Sequence, residues 1–193
     1  MDAYLTGGDG SVWVFGYGSL LWKADFEYQS ARIGYIRGFV RRFWQGNTTH
    51  RGVPGAPGRV ATLLEEEEGL VWGVAFEITT KVFETMGYLE TREQVLGGYS
   101  VITTDFTPRD NPGAAIPVIV YMATPTNDQY LGEADIQSIA EQVVASKGPA
   151  GSNVEYVTRM ADFIRQQIPE DDDDHLFSLD RRVREIITRD ARN

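Results

Sequence analysis

A chain of 193 residues can bury a substantial core in one domain, and a content of 42% apolar and 11% aromatic residues predicts that it is globular. Its net charge of −10 argues against a nucleic-acid partner, because proteins that bind phosphate backbones display a basic face. Without a single cysteine it has no disulfide framework, no thiolate nucleophile and no Cys-ligated zinc, and no apolar run approaches the roughly 20 residues of a membrane span.

Residues 1–11, with Gly7, Gly8 and Gly10, read as a flexible leader too short and too polar for a signal peptide, so the expected setting is cytoplasmic with no membrane partner. Residues 12–193 are expected to form a single domain that includes C-terminal helices at about 134–190. The run Val12-Trp-Val-Phe15 suits a buried strand, which breaks at Gly16 and Gly18, where backbone can approach a ligand with no Cβ in the way. N–H groups after such a strand can hold a carboxylate or a developing oxyanion, and Ser19 adds a hydroxyl. The other reading is a plain strand and tight turn. Residues 31–45 alternate polar and apolar and predict one or two strands, and 46–58, rich in Gly, Pro and Thr, predict a loop long enough to be a binding element. Residues 59–64 and 70–78 predict two more strands, with Glu65 to Gly69 as the hairpin between them and its four glutamates at a solvated tip.

Thr79 or Thr80 is expected to cap a helix running to about Glu93, because Val82, Met86 and Leu89 recur at helical spacing. Glu93 falls on the same side as those three, which places a carboxylate at the end of a core-facing stripe. The alternative is a helix already ended, with Glu93 in water or paired with Arg92. Gly97 and Gly98 then stop the helix, and 99–106 and 115–123 predict strands joined by a turn at Asn111-Pro-Gly113. Beyond them the pattern changes to helical. Residues 134–146 carry Ile136, Ile139, Ala140, Val143 and Val144 on one face, Gly148-Pro-Ala-Gly151 breaks the helix, and Ser152 with Glu155 forms a capping box for a second one bearing Tyr156, Met160 and Phe163. Asp171 to Asp174 are expected to cap and solvate the start of a last helix with Leu176, Leu179, Val183, Ile186 and Ile187 inward. Six or seven strands with hairpin-like links predict an α+β fold: a mainly antiparallel sheet curled towards a barrel, with flanking helices.

Several chemistries fail on residue type. His50 and His175 are the only histidines, far apart in sequence, so no metal site is expected. Ser19 lacks the Gly-x-Ser-x-Gly elbow of a hydrolase, and the dinucleotide fingerprint lacks its third glycine. What remains is a carboxylate-dependent reaction near a backbone anion hole, or simple binding.

The motifs Phe15-Gly-Tyr-Gly-Ser-Leu20, Arg42-Phe-Trp-Gln-Gly46, His50-Arg-Gly-Val-Pro-Gly55, Pro57-Gly-Arg-Val60, Trp72-Gly-Val74, Tyr88-Leu-Glu-Thr-Arg-Glu93 and Gly98-Tyr99 follow one another in order. Tyr130-Leu-Gly132, Gly148-Pro-Ala-Gly151, 153–156 and His175-Leu-Phe177 extend the series through the helical part. Together they resemble the ChaC family of glutathione-specific γ-glutamylcyclotransferases. The resemblance implies a γ-glutamylcyclotransferase-like barrel and a lyase that splits glutathione into 5-oxoproline and cysteinylglycine with no metal and no cofactor. It matches Glu93 to the catalytic glutamate and makes Tyr17, Gly18, Ser19 and Leu20 the loop that holds the γ-glutamyl end. Arg59 and Tyr156 occupy family-like positions that imply substrate contact. Glu84 matches another family glutamate, but the helical wheel sets it opposite Glu93, so it is given no direct chemistry. Gln94-Val-Leu96 makes a longer gap before the glycines than in some members, which bears on the loop shape beside the base. Two alternatives stand beside this reading: a cyclotransferase for other γ-glutamyl amino acids or amines, and a non-catalytic glutathione-binding protein.

Overall fold

β1 (Val12–Gly16) is buried along its whole length, as a Val-Trp-Val-Phe run requires. It is followed by β2 (Ser30–Asn47), β3 (Gly58–Ile78), helix α1 (Val82–Leu89), β4 (Ser100–Pro108) and β5 (Ile116–Met122). The computed structural model describes residues 10–95 and 98–192. Most of the leader read at 1–11, and Gly97 of the helix stop, lie outside the described residues; Gly10 is exposed and Ser11 buried. The five strands close a barrel in the order β1–β3–β2–β4–β5. The pairs β1/β3, β2/β4 and β4/β5 are antiparallel, while β1 meets β5 in parallel through Val14 and Ile119. The expected α+β barrel with flanking helices is therefore present, built from five strands rather than six or seven.

The difference in number has one main source. β3 runs unbroken through Glu65–Glu68, where a hairpin was expected. All four glutamates are exposed, so this part of the strand has water on both sides and loses the period-two alternation by which a strand is recognised. The helix start also differs. The N-cap of α1 is Lys81, whose backbone sits at φ 49° and whose side chain makes no capping bond, so neither Thr79 nor Thr80 takes the capping position.

The chain gathers into two compact units. The first takes the chain through Val40 together with Leu63–Thr124; the second takes Arg41–Thr62 and the chain from Pro125. β2 and β3 each contribute residues to both. In the first unit Phe15 packs on Phe106 at 5.8 Å, and Phe26 and Tyr28 both meet the edge of Phe76. The second unit holds α2 (Ile136–Ala145), a two-residue ribbon (β6 Lys147–Gly148, β7 Gly151–Ser152), α3 (Asn153–Gln167) and α4 (Asp174–Asp190). Each of these helices has the cap its sequence offers: Asp135 accepts from the N–H of Ser138, Ser152 from Glu155 and Asp173 from Leu176. Ile139, Val143, Met160, Ile164, Leu176, Leu179 and Val183 form the apolar interior. Ile187, expected inward, is 39% exposed, because it follows Ile186 and successive residues on a helix point about 100° apart. Among the described residues no helix is long and apolar enough to cross a membrane.

Candidate active site

After Gly16 the chain turns at once. Leu20 folds back so closely that a Cβ on Gly16 would lie 2.7 Å from the Leu20 Cβ, a contact no side-chain-bearing residue tolerates. The turn is a short 3₁₀ helix, Ser19–Leu21, closed by a hydrogen bond from the N–H of Leu21 to the carbonyl of Gly18. The N–H groups of Ser19 and Leu20 precede the first bond of that turn and have no acceptor within it. Tyr17 is buried, and its hydroxyl donates to the Tyr121 carbonyl at 2.7 Å, which ties the turn to the last barrel strand. Leu20 is buried too, whereas Gly18 and Ser19 are partly open.

Glu93 comes from the segment after α1, where the helix widens into a π-helical stretch over Glu90–Val95. Such wide turns gather at functional sites because they redirect side chains without ending the helix. Met86 and Leu89 are buried on the stripe that leads to Glu93, while Glu90 and Glu84 face water. The Glu93 side chain is 17% exposed, as the core-facing reading expects, and it also has the pairing with Arg92 that the alternative named. The end of the segment is fixed by hydrogen bonds from the N–H of Gly98 to the Gln94 carbonyl and from the N–H of Tyr99 to the Glu93 carbonyl. Gly98 takes φ +67°, a conformation that suits glycine at a helix end.

Arg92 connects these two parts. Its Nε lies 3.1 Å from Glu93 Oε1, and its Nη2 donates to Ser19 Oγ at 2.9 Å. Nη1 reaches the carbonyls of Lys23 and Ala24, each at 3.3 Å. Burial raises the pKa of the Glu93 carboxyl above 4.5, and the adjacent Arg92 charge pulls it back down. A carboxylate in this state is a stronger base than one in water yet still has a cation to hold it ionised.

Arg59 and Tyr156 belong to the second unit, and the structure ties both into it. The Arg59 backbone is bracketed by the Asn153 amide, its Nε donates to Gln142, and its Nη1 donates to the carbonyls of Phe43 and Gly132. The Tyr156 hydroxyl accepts the N–H of Ala61 at 3.2 Å, with the ring edge-on to Phe43 and the Arg51 guanidinium over its face. Among the described residues no group of three or more His, Asp or Glu side chains converges as metal ligands.

A model of the ChaC-like protein family matches residues 12–186. The chain belongs to the ChaC family. It is 48% identical to the glutathione-specific γ-glutamylcyclotransferase 1 of Danio rerio over 91% of this chain and 90% of that protein. It is 46% identical to the human protein of the same name over 88% of this chain and 77% of the relative. Among solved structures it is similar to a selenomethionine-labelled yeast γ-glutamyl cyclotransferase specific to glutathione, with TM-score 0.82 and 28% identity, covering 91% of this chain and 96% of that one.

Two features of this ChaC chain escaped the sequence reading. The sequence offers Arg92 only as a partner of Glu93, and its bonds to Ser19 and to the Lys23 and Ala24 carbonyls have no signature in the chain. The Asp171–Asp174 run, expected to be solvated, sends Asp171 inside: its side chain is 4% exposed and lies 3.6 Å from the fully buried Arg41, which also binds Asp173 at 2.7 Å. A run of like charges reads as water-facing unless its counter-ion, here on β2, is known to be near.

Proposed function

We propose that this chain cleaves glutathione by intramolecular attack of the γ-glutamyl α-amine, giving 5-oxoproline and cysteinylglycine, as a cytoplasmic lyase that acts as one domain over residues 12–193. The observation that carries this reading is the buried Glu93 carboxylate joined through Arg92 to the Gly18-Ser19 turn, in a chain so similar to glutathione-specific cyclotransferases. Glu93 is the base, and Tyr17, Gly18, Ser19 and Leu20 shape the γ-glutamyl seat. Arg59 and Tyr156 keep only the substrate contact that their family-like positions imply.

The α-amine and the γ-carbonyl are parts of one residue, so the enzyme needs to fold them together and manage protons. The substrate amine arrives as an ammonium of pKa about 8, while an ordinary glutamate titrates near 4.3, a transfer uphill by about 5 kcal/mol. Burial of Glu93 narrows this gap. Once Glu93 has taken a proton, the amine nitrogen bonds to the γ-carbonyl carbon, and its oxygen carries negative charge that N–H groups and the Ser19 hydroxyl of the turn can receive. Protonated Glu93 gives its proton to the cysteinyl nitrogen as the old amide bond breaks, and the carboxylate so regenerated passes the second proton of the ring nitrogen to the freed amine, leaving a neutral lactam and cysteinylglycine as its ammonium. The ring closes with no water consumed.

Pure protein incubated with glutathione is expected to release 5-oxoproline, and γ-glutamyl-alanine to turn over more slowly. General acid–base help is worth roughly 10²- to 10⁴-fold, so Glu93→Gln is expected to lose turnover on that scale while keeping glutathione binding. A folded Glu93→Gln with wild-type turnover removes the base from this scheme.

A further inference from the structure

Resting on the reading of Glu93 as base, we propose that Arg92 is the positioning residue of this site, fixing the Glu93 carboxylate and the Ser19 hydroxyl relative to each other so that base and donor meet the γ-glutamyl group as a single preset pair. Four acceptors on two separate segments converge on one guanidinium. Nε faces Glu93 Oε1 at 3.1 Å, Nη2 faces Ser19 Oγ at 2.9 Å, and Nη1 is held by the Lys23 and Ala24 carbonyls at 3.3 Å. The two carbonyls fix one corner of the planar fork, so its other two corners point in set directions. Both charged side chains are largely out of water, at 15% exposed for Arg92 and 17% for Glu93, so their attraction is little screened. The other charges on the turn segment, Lys23 and Asp25, pair with each other at 3.4 Å and are exposed.

The direction of the Ser19 bond matters as much as its length. Arg92 donates, so the serine oxygen accepts, and the single hydroxyl hydrogen is left to donate elsewhere. The guanidinium thereby selects the rotor in which Ser19 offers a hydrogen to a carboxylate or to a developing oxyanion. A lysine in this position has charge but no fork, and it cannot hold the carboxylate, the hydroxyl and the two carbonyls in one plane.

The test uses steady-state kinetics of the full chain with glutathione for Arg92→Gln, Arg92→Lys, Ser19→Ala, the Ser19→Ala/Arg92→Gln double variant and Glu93→Gln, each checked for native circular dichroism. A misplacement near 1 Å costs about 10²-fold, so Arg92→Gln is expected to lose about that much kcat, and Arg92→Lys to recover only part of it. The KM of Arg92→Gln is expected to rise to that of Ser19→Ala, and the double variant to show no further rise, because one residue acts through the other. Should Arg92→Gln not fold, Arg92→Lys decides, its kcat expected at least about 10-fold down. A folded Arg92 variant within about threefold of wild-type kcat, or a double variant whose KM is the product of the single effects, overturns the positioning role. Glu93→Gln separates the two levels: if it is active, the proposed base falls and Arg92's role with it; if it is inactive beside a fully active Arg92→Gln, the positioning role alone falls.

Discussion

At the scale of single residues the site turns on a balance at Glu93. Burial raises the pKa of its carboxyl and Arg92 opposes that rise, with burial the larger influence. A base acts when it is unprotonated, so raising its pKa moves the acidic limb of activity to higher pH. The kcat/KM profile is therefore expected to fall as pH drops through a value above 4.5, and removal of the Arg92 charge to move that limb higher still. A limb that stays put in Arg92→Gln would assign the titration to another group. Ser19→Ala is expected to raise KM by more than it lowers kcat; an unchanged KM makes the hydroxyl a turn device only. Glu93 was legible in the sequence because a carboxylate at the end of an apolar stripe breaks the pattern that surrounds it. Arg92 was not, because its role depends on Ser19 and two backbone carbonyls that only the folded chain brings to it.

At the scale of elements the start of α4 is electrostatically unusual. Burial is the largest influence on Asp171, raising it from 3.8 to about 6; Arg41 opposes and Asp173 adds to the rise. His175 accepts the Phe43 N–H at 3.1 Å and stacks on the Phe43 ring. It is lowered from 6.5 to about 4, by burial first and then by Arg42 and Arg41, against Asp173 and Asp174. An acid whose folded pKa is raised makes the fold more stable as pH falls from about 6 towards 3.8. A histidine whose folded pKa is depressed makes it less stable as pH falls from 6.5 towards about 4. The two slopes, each approaching about 1.4 kcal/mol per pH unit, act in the same window with opposite sign and nearly cancel. Single variants unmask them. Relative to wild type, Asp171→Asn is expected to lose stability on acidification across that window and His175→Gln to gain it, read from urea midpoints at several pH values. Parallel curves for all three proteins would show that this pair does not titrate in opposition. The Asp run does cap α4 and the β3 glutamates are solvated, as expected, but the burial of Asp171 and the continuity of β3 do not show in the sequence for one reason: charge runs carry no periodicity. One hides a buried acid and the other a continuous strand.

At the scale of the molecule, the sequence separates a strand-rich body from a helical tail near residue 134, whereas the compact units group Arg41–Thr62 with the helices. Pattern reveals the type of an element but not its companions, so this grouping had no signature. The chain passes between the units at 40/41, 62/63 and 124/125, and the first two passages lie inside β2 and β3. Melting one unit would leave half a strand ordered with unpaired backbone groups at its break, which disfavours partial unfolding. A single cooperative transition is therefore expected, and the chain offers separate reporters for it. Trp13, Trp22 and Trp72 lie in the first unit, so fluorescence follows mainly that one. The second contains helices of 10, 15 and 17 residues against the eight of α1, so far-ultraviolet circular dichroism follows mainly the second. The two urea curves are expected to coincide. Glutathione added to inactive Glu93→Gln at about 100 times its Kd contributes about 2.7 kcal/mol to the state that binds it, and both curves are expected to shift together. Since Glu93 and the glycine turn belong to the first unit, a shift confined to fluorescence would mean two independently folding bodies rather than the one domain proposed.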